Sequence, residues 1–333
     1  MKITIFASLF LGSFFMAQTN DSLAVETPLD SIQTQNTKIQ EVKISENETF
    51  IYQKPKLWDI VNKIPKNIAG TATDIVSKKY YPYGLAALGS TAALIPADPW
   101  VIRESRNLGE TLGMNEAHTY RKLGFLKIIP ADVNSALYFI GNGTTVILIS
   151  GGLATYGLFK NDYRAISTSM QLIESIALSG VFAQSIKRIT GRESPFITFD
   201  RNGWHSHWTF APSFAAYQRE TSKYDAMPSG HLTTAMAALT VLTENYPDKK
   251  WLKPVGYTLL GLMSFEMLQS KVHWVSDYPI AIFLGYLIGK NIAKARITKV
   301  NNSPVAEKKR KYDLQWSAGS LYGYQTIGVN IKF

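Results

Sequence analysis

The segment 135-SALYFIGNGTTVILISGGLATYGLF-159 carries no charged side chain. A bilayer core accommodates about 20 apolar residues of helix, so this run is long enough to cross one, and its Gly151-Gly152 pair suits close helix–helix contact. Further apolar stretches with helical spacing follow at 165–188, 231–242, 252–268 and 278–294. They contain Gln171, Glu174, Gln184 and Glu266, so each fits either a tilted span in a membrane bundle or a core helix of a soluble one. We read membrane association. An earlier run, 84-GLAALGSTAALIP-96, is too short to span on its own.

This pattern divides the chain. Residues 1–17, 1-MKITIFASLFLGSFFMA-17, have one Lys and then an apolar core, and they read as a secretory signal peptide cut after Ala17. Phe15 fits that cleavage site poorly, which leaves an uncleaved anchor open; in both cases the chain leaves the cytoplasm. Residues 18–56 read as a polar linker, 57–130 as an N-terminal helical region and 131–298 as the main helical domain. Residues 299–333 read as a basic linker followed by a β-hairpin. There Leu314, Trp316 and Ala318, then Ile327, Val329, Ile331 and Phe333, alternate with polar residues, and Gly319 to Gly323 supply the turn. The fold expected is all-α, a membrane-associated helical bundle with a short C-terminal hairpin.

The chain has no cysteine, which excludes disulfides, thiol catalysis and Cys-ligated zinc. Its formal net charge is +10, concentrated in runs such as 308-KKRK-311 and 287-LIGKNIAKARITK-299. Such runs form a solvated tail or meet anionic lipid headgroups, and no motif for nucleic acid accompanies them. The oligomeric state is not legible.

Three helix ends carry cationic or imidazole groups beside turn residues. They are 185-SIKRITGRESPF-196, 227-MPSGHLTTAMAALTVL-242 and 270-SKVHWVSDYPIAIFLG-285. Taken alone, His231 behind Pro228-Ser229-Gly230 is a surface histidine on a capped helix. Taken together, the three point to phosphate. A helix N-terminus offers free N–H groups, Gly lets an anion approach, Lys187 and Arg192 bring fixed charge, and two histidines can handle nucleophile and leaving group. Asp277, four residues after His273, can accept one ring N–H and leave the other nitrogen free. His205 and His207 in 202-NGWHSHWTF-210 have a spacing that suggests metal, but with no third ligand in view they read as loop or substrate-mouth residues. His118 reads as a surface residue.

The order of these motifs over residues 130 to 295 resembles the type 2 phosphatidic acid phosphatase (PAP2) family, which shares its fold with bacterial acid phosphatases and vanadium haloperoxidases. The resemblance makes 131–298 a PAP2-like phosphatase domain and implies the following roles. His273 is a nucleophile that forms a phosphohistidine, Asp277 orients it, and His231 is the general acid. Lys187, Ser229 and Gly230 bind phosphate. No metal and no other cofactor is implied, and the partners are a lipid phosphate substrate and a membrane, with the active site facing the periplasm. The family's first motif ends in Arg-Pro and its third opens on Ser-Arg, whereas this chain has Ser194-Pro195 and Glu266-Met267. Arg192 or Lys271 is expected to compensate, with Arg192 the stronger candidate phosphate ligand. The function expected is a metal-independent phosphatase acting on a phosphomonoester or pyrophosphate of a lipid. The alternatives are a vanadate-dependent haloperoxidase or a catalytically weak lipid-phosphate-binding relative.

Overall fold

A computed structural model describes residues 38–124, 126–302, 313–321 and 324–332. The expected signal peptide, the first part of the expected linker and the KKRK run lie outside the described residues. The rest is a helical bundle. Helices α1 (Ile64–Ile75), α2 (Tyr81–Leu94) and α3 (Asp98–Thr111) lead into α4 (Val133–Ile140), α5 (Gly143–Lys160) and α6 (Tyr163–Thr190). Helices α7 (Gly230–Asn245), α8 (Leu252–Gln269) and α9 (Tyr278–Lys294) complete it.

The apolar run at 135–159 is not one straight helix. It breaks between α4 and α5 with a bend of 70°. Asn142 makes the break, because its side chain accepts from the Thr144 N–H and starts a new helix. Gly141 allows it: a Cβ there would lie 2.3 Å from Met263 Sδ and 3.0 Å from His231 Cβ. The run at 84–96, expected to be too short to span, is extended by a 3-10 turn at Ile95–Ala97 that leads directly into α3. The resulting stretch Tyr81–Thr111 and helix α6 are both long and apolar enough to cross a membrane; the bent α4–α5 pair makes a third if it counts as one span. Leu148, Leu158 and Phe159 of α5 face outward, consistent with a lipid-facing surface.

Gln171, Glu174 and Gln184 of α6 each find a partner. Gln171 exchanges hydrogen bonds with Asn245 of α7, and Gln184 accepts from the Tyr217 hydroxyl. Glu174 accepts from Asn67 and from Arg296, each at 2.6 Å. A polar group buried without such partners would be costly, and pairing lets it fix which helix faces which.

Two short sheets correct the sequence reading. Within the expected polar linker, β1 (Ile39–Lys43) and β2 (Glu48–Gln53) pair antiparallel, and β5 (Thr298–Asn301) joins β2 from beyond α9. Phe50 and Tyr52 are fully buried against Ala293 and Ile297. Burial of two aromatic rings overrides the polar composition around them. Within the expected N-terminal helical region, β3 (Tyr120–Leu123) and β4 (Leu126–Pro130) form a second antiparallel pair. The C-terminal hairpin is present as expected. Strands β6 (Asp313–Leu321) and β7 (Tyr324–Lys332) align Leu314 with Ile331 and Trp316 with Val329.

Helices α7 and α9 approach most closely where α9 has no side chains. A Cβ at Gly285 would lie 2.6 Å from the Thr233 carbonyl oxygen, and one at Gly289 would lie 2.5 Å from that of Ala237. Backbone cannot yield as a flexible side chain would, so a methyl here must push the helices apart. Gly285→Ala and Gly289→Ala are each expected to cost about 1–3 kcal/mol, read as a lower thermal midpoint in detergent. An unchanged midpoint in both would show that α7 and α9 are not in this contact.

Candidate active site

Helix α6 ends at Gly191, whose left-handed φ of 51° turns the chain and whose missing side chain makes room for the carbonyl of Thr209. One turn earlier Lys187, 6% exposed, projects toward the start of α7. Its Nζ would be 3.7 Å from a Cβ on Gly230 and lies 3.6 Å from Asp225 Oδ2. Ser229 caps α7 by accepting from the Leu232 N–H, and its fully buried Oγ is 3.9 Å from Met267 Sδ. His231 follows in the first turn.

His231 and His273 face each other with ring centroids 6.1 Å apart and planes at 69°. Tyr138, near the end of α4, tilts against His231 with ring centroids 4.7 Å apart. Burial is the largest influence on the His231 imidazole, followed by the charges of His273 and Lys187. They push its pKa down to about 3. The ring is therefore neutral at ordinary pH. His273 Nδ1 stands 3.4 Å from Asp277 Oδ2, in reach of an ion pair but not aligned as a hydrogen bond. Asp277 is itself held, accepting from the Trp274 N–H at 2.9 Å and from Arg192 Nη1 at 2.6 Å.

The structure thus brings together Lys187, Ser229, Gly230, His231, His273 and Asp277. It does not bring Arg192 to the same cradle. Arg192 is 1% exposed and lies behind Asp277. Its Nη1 donates to Asp277 and to Ser276 Oγ, Nη2 donates to Asp98 Oδ2 at 2.6 Å, and Nε donates to Ser206 Oγ. The rings of Trp208 and Trp274 flank the guanidinium at 4.7 and 5.3 Å. The expected phosphate ligand is a structural cation, because two buried carboxylates claim it. Lys271 is likewise committed, to Glu116 at 2.9 Å. Ser194 and Met267 are both buried.

Other residues join the site without having been read from the sequence. Asp98, from the start of α3, accepts from the backbone N–H and the hydroxyl of Ser276 as well as from Arg192. A lone carboxylate in the apolar stretch 84–102 was the available signal, since such a group needs a partner. His118 is not a surface residue: its Nε2 is 2.6 Å from the fully buried Glu266, and its ring stacks on Tyr138 at 4.1 Å. His205 and His207 lie exposed on the loop. Among the described residues no three His, Asp or Glu side chains are grouped to hold a metal.

Residues 168–299 match the family model of the PAP2 superfamily. Over 79 residues the chain is 28% identical to the lipid A 1-phosphatase of Porphyromonas gingivalis, covering 23% of this chain and 18% of that one. Over 172 residues it is 27% identical to an uncharacterized protein of Methanocaldococcus jannaschii, covering 50% of this chain and 64% of the relative. The chain therefore spans less than two thirds of either relative's length. No solved structure matches.

The two basic groups of the first motif should respond differently to removal. Arg192→Ala leaves Asp98 and Asp277 buried without their cation and is expected to cost about 3–5 kcal/mol, seen as a lower thermal midpoint. Arg192→Lys should not restore it, because an ammonium cannot span both carboxylates as the planar fork does. Lys187→Ala should lower the midpoint far less, its single ion pair being long and its partner partly exposed. Equal midpoints for the Arg192 and Lys187 variants would contradict this division of roles.

Proposed function

We propose, from the match of residues 168–299 to the PAP2 superfamily, that the chain is a membrane-associated phosphatase hydrolysing a phosphomonoester or pyrophosphate carried by a lipid. The observation that supports this most is the pair of imidazoles flanking the start of α7, with Lys187 beside them. A phosphoryl group between the rings would have a nucleophile on one side and a proton carrier on the other, which is the in-line arrangement displacement at phosphorus requires.

In this reading Lys187 Nζ, the Ser229 hydroxyl and the Gly230 N–H hold the phosphate oxygens at the positive end of the α7 dipole. The free ring nitrogen of His273 attacks phosphorus, while Asp277 fixes the ring and stabilises the imidazolium that forms. His231 hands a proton to the departing alkoxide. Water then attacks the phosphohistidine with His231 accepting its proton, and phosphate leaves. The Porphyromonas relative, a lipid A 1-phosphatase, makes lipid A one substrate to test. The apolar opening segment supports export, with hydrolysis outside the cytoplasm.

The test is phosphate release by detergent-purified protein over a panel of lipid phosphates. His273→Ala should abolish turnover, and EDTA should leave the wild-type rate unchanged. His231→Ala should slow alkyl phosphates by about 10²–10⁴-fold, because an alkoxide needs a proton to leave. The first step with p-nitrophenyl phosphate should suffer far less, and the variant should then stall as an acid-labile phosphohistidine. Near-normal turnover in His273→Ala would remove the proposed nucleophile, and loss of activity in EDTA would remove the metal-free chemistry.

A further inference from the structure

We propose that this site takes its phosphate ester as the monoanion, and that the proton still on the phosphoryl group is the one that reaches the leaving oxygen through His231. This rests on the phosphatase reading above and concerns the ionic form of its substrate.

The first ground is the balance of charge around the cradle. Lys187 comes from α6, and its charge is opposed by Asp225 at 3.6 Å. Behind His273 one guanidinium, Arg192, meets two carboxylates, Asp277 and Asp98. On the far side of Tyr138 lie Glu266 of α8 and His118, which precedes β3. Cations do not outnumber carboxylates in this set. Nearby cations are engaged elsewhere: Lys271 with Glu116, Arg201 with Glu193, Arg103 over the Trp204 ring and Arg188 over the Tyr217 ring. The Met267 thioether closes the side of the cradle next to Ser229, where it can neutralise nothing. Charge introduced into a site of reduced polarity is costly unless matched, and the second charge of a dianion has no fixed partner here.

The second ground is the proton inventory. His231 is partly shielded by the rings of Tyr138 and His273, 4.7 and 6.1 Å away. Its ring is neutral at ordinary pH, its pKa lowered to about 3. A neutral imidazole keeps its one N–H and must gain a second proton before it can act as a general acid. A monoanion, R–O–PO₃H⁻, carries it in. The His273 lone pair forms the N–P bond as the P–OR bond breaks. The phosphoryl proton passes to a ring nitrogen of His231 and from there to the leaving oxygen, so that ROH departs. The phosphohistidine then carries two negative charges on the phosphoryl group and one positive charge on the imidazolium, which Asp277 faces. Net charge is the same before and after.

The experiment is the pH dependence of kcat/KM in detergent for a short-chain alkyl phosphate and for p-nitrophenyl phosphate, whose phosphoryl group loses its second proton at lower pH. With the alkyl ester, kcat/KM should fall about tenfold per pH unit above the second ionisation near about pH 6. With the aryl ester the fall should begin earlier, by the difference between the two ionisations. Asp225→Asn, a change at a partly exposed side chain, leaves Lys187 unopposed and should raise kcat/KM at pH 8 several-fold relative to pH 5.5. A falling limb at the same pH for both esters would assign it to the protein and overturn the proposal. So would a rate that rises as the dianion forms, an unchanged Asp225→Asn profile, or recovery at pH 8 on adding Mg²⁺, which would mean the substrate brings a metal cation. No turnover of either ester at any pH would overturn the phosphatase reading itself, and the proposal with it.

Discussion

The guanidinium of Arg192, enclosed between Asp98 and Asp277, is the contact on which the candidate site depends. It joins the start of α3, the turn after α6 and the segment before α9, three places far apart in sequence. Trp208 and Trp274 cover its faces, so water does not compete for its donors. A buried ion pair is weak evidence of net stability, because desolvation offsets much of the attraction. Its effect here is on geometry. With Arg192 on one oxygen and the Trp274 N–H on the other, Asp277 has little freedom, and the side of the His273 ring facing it is set accordingly. Asp98 lies outside the stretch that matches the family model, so the N-terminal helices help to build the site as well as surround it.

The helices converge on this point because the sequence places small or polar residues where they must meet. Gly285 and Gly289 let α9 lie directly against α7, which carries His231. Gly141 and Asn142 break the most apolar run, and the break swings Tyr138 onto the His231 ring instead of leaving it on a lipid-facing helix. Glu174 and Gln171, awkward in an apolar helix, are satisfied by Arg296, Asn67 and Asn245. Each pairing excludes other rotations of α6, since turning the helix would leave a buried polar group without a partner.

The helical architecture and the histidine pair were legible because they rest on local signals. Periodicity marks the helices, and Pro-Ser-Gly-His marks a capped start with an imidazole in its first turn. The sheet of β1, β2 and β5 was not legible. Its signal is a short run, 48-ETFIYQ-53, within a polar stretch, and its third strand comes from beyond α9. Asp98 was missed for a similar reason, since nothing local announces a contact with Arg192 and Ser276. His118 looked like a surface residue because its partner, Glu266, is remote in sequence and appeared only as an awkward charge in an apolar helix.

Arg192 shows most clearly where motif spacing stops being informative. The sequence showed an arginine near Lys187 and a cradle short of charge, and the two observations suggested each other. The direction of the side chain is decided by Gly191, whose left-handed turn sends the chain inward, and by Asp98 and Asp277, which offer two buried carboxylates to one fork. An arginine that satisfied a phosphate would leave those carboxylates buried without a cation, so the fold fixes its position before any ligand arrives. On the proposed reading, phosphate in front of His273 would be held by Lys187, neutral donors and the start of a helix. In the proposed reaction, holding the nucleophile from behind and neutralising the substrate from in front would call for the same kind of residue, and the contacts of Arg192 suit it to the first.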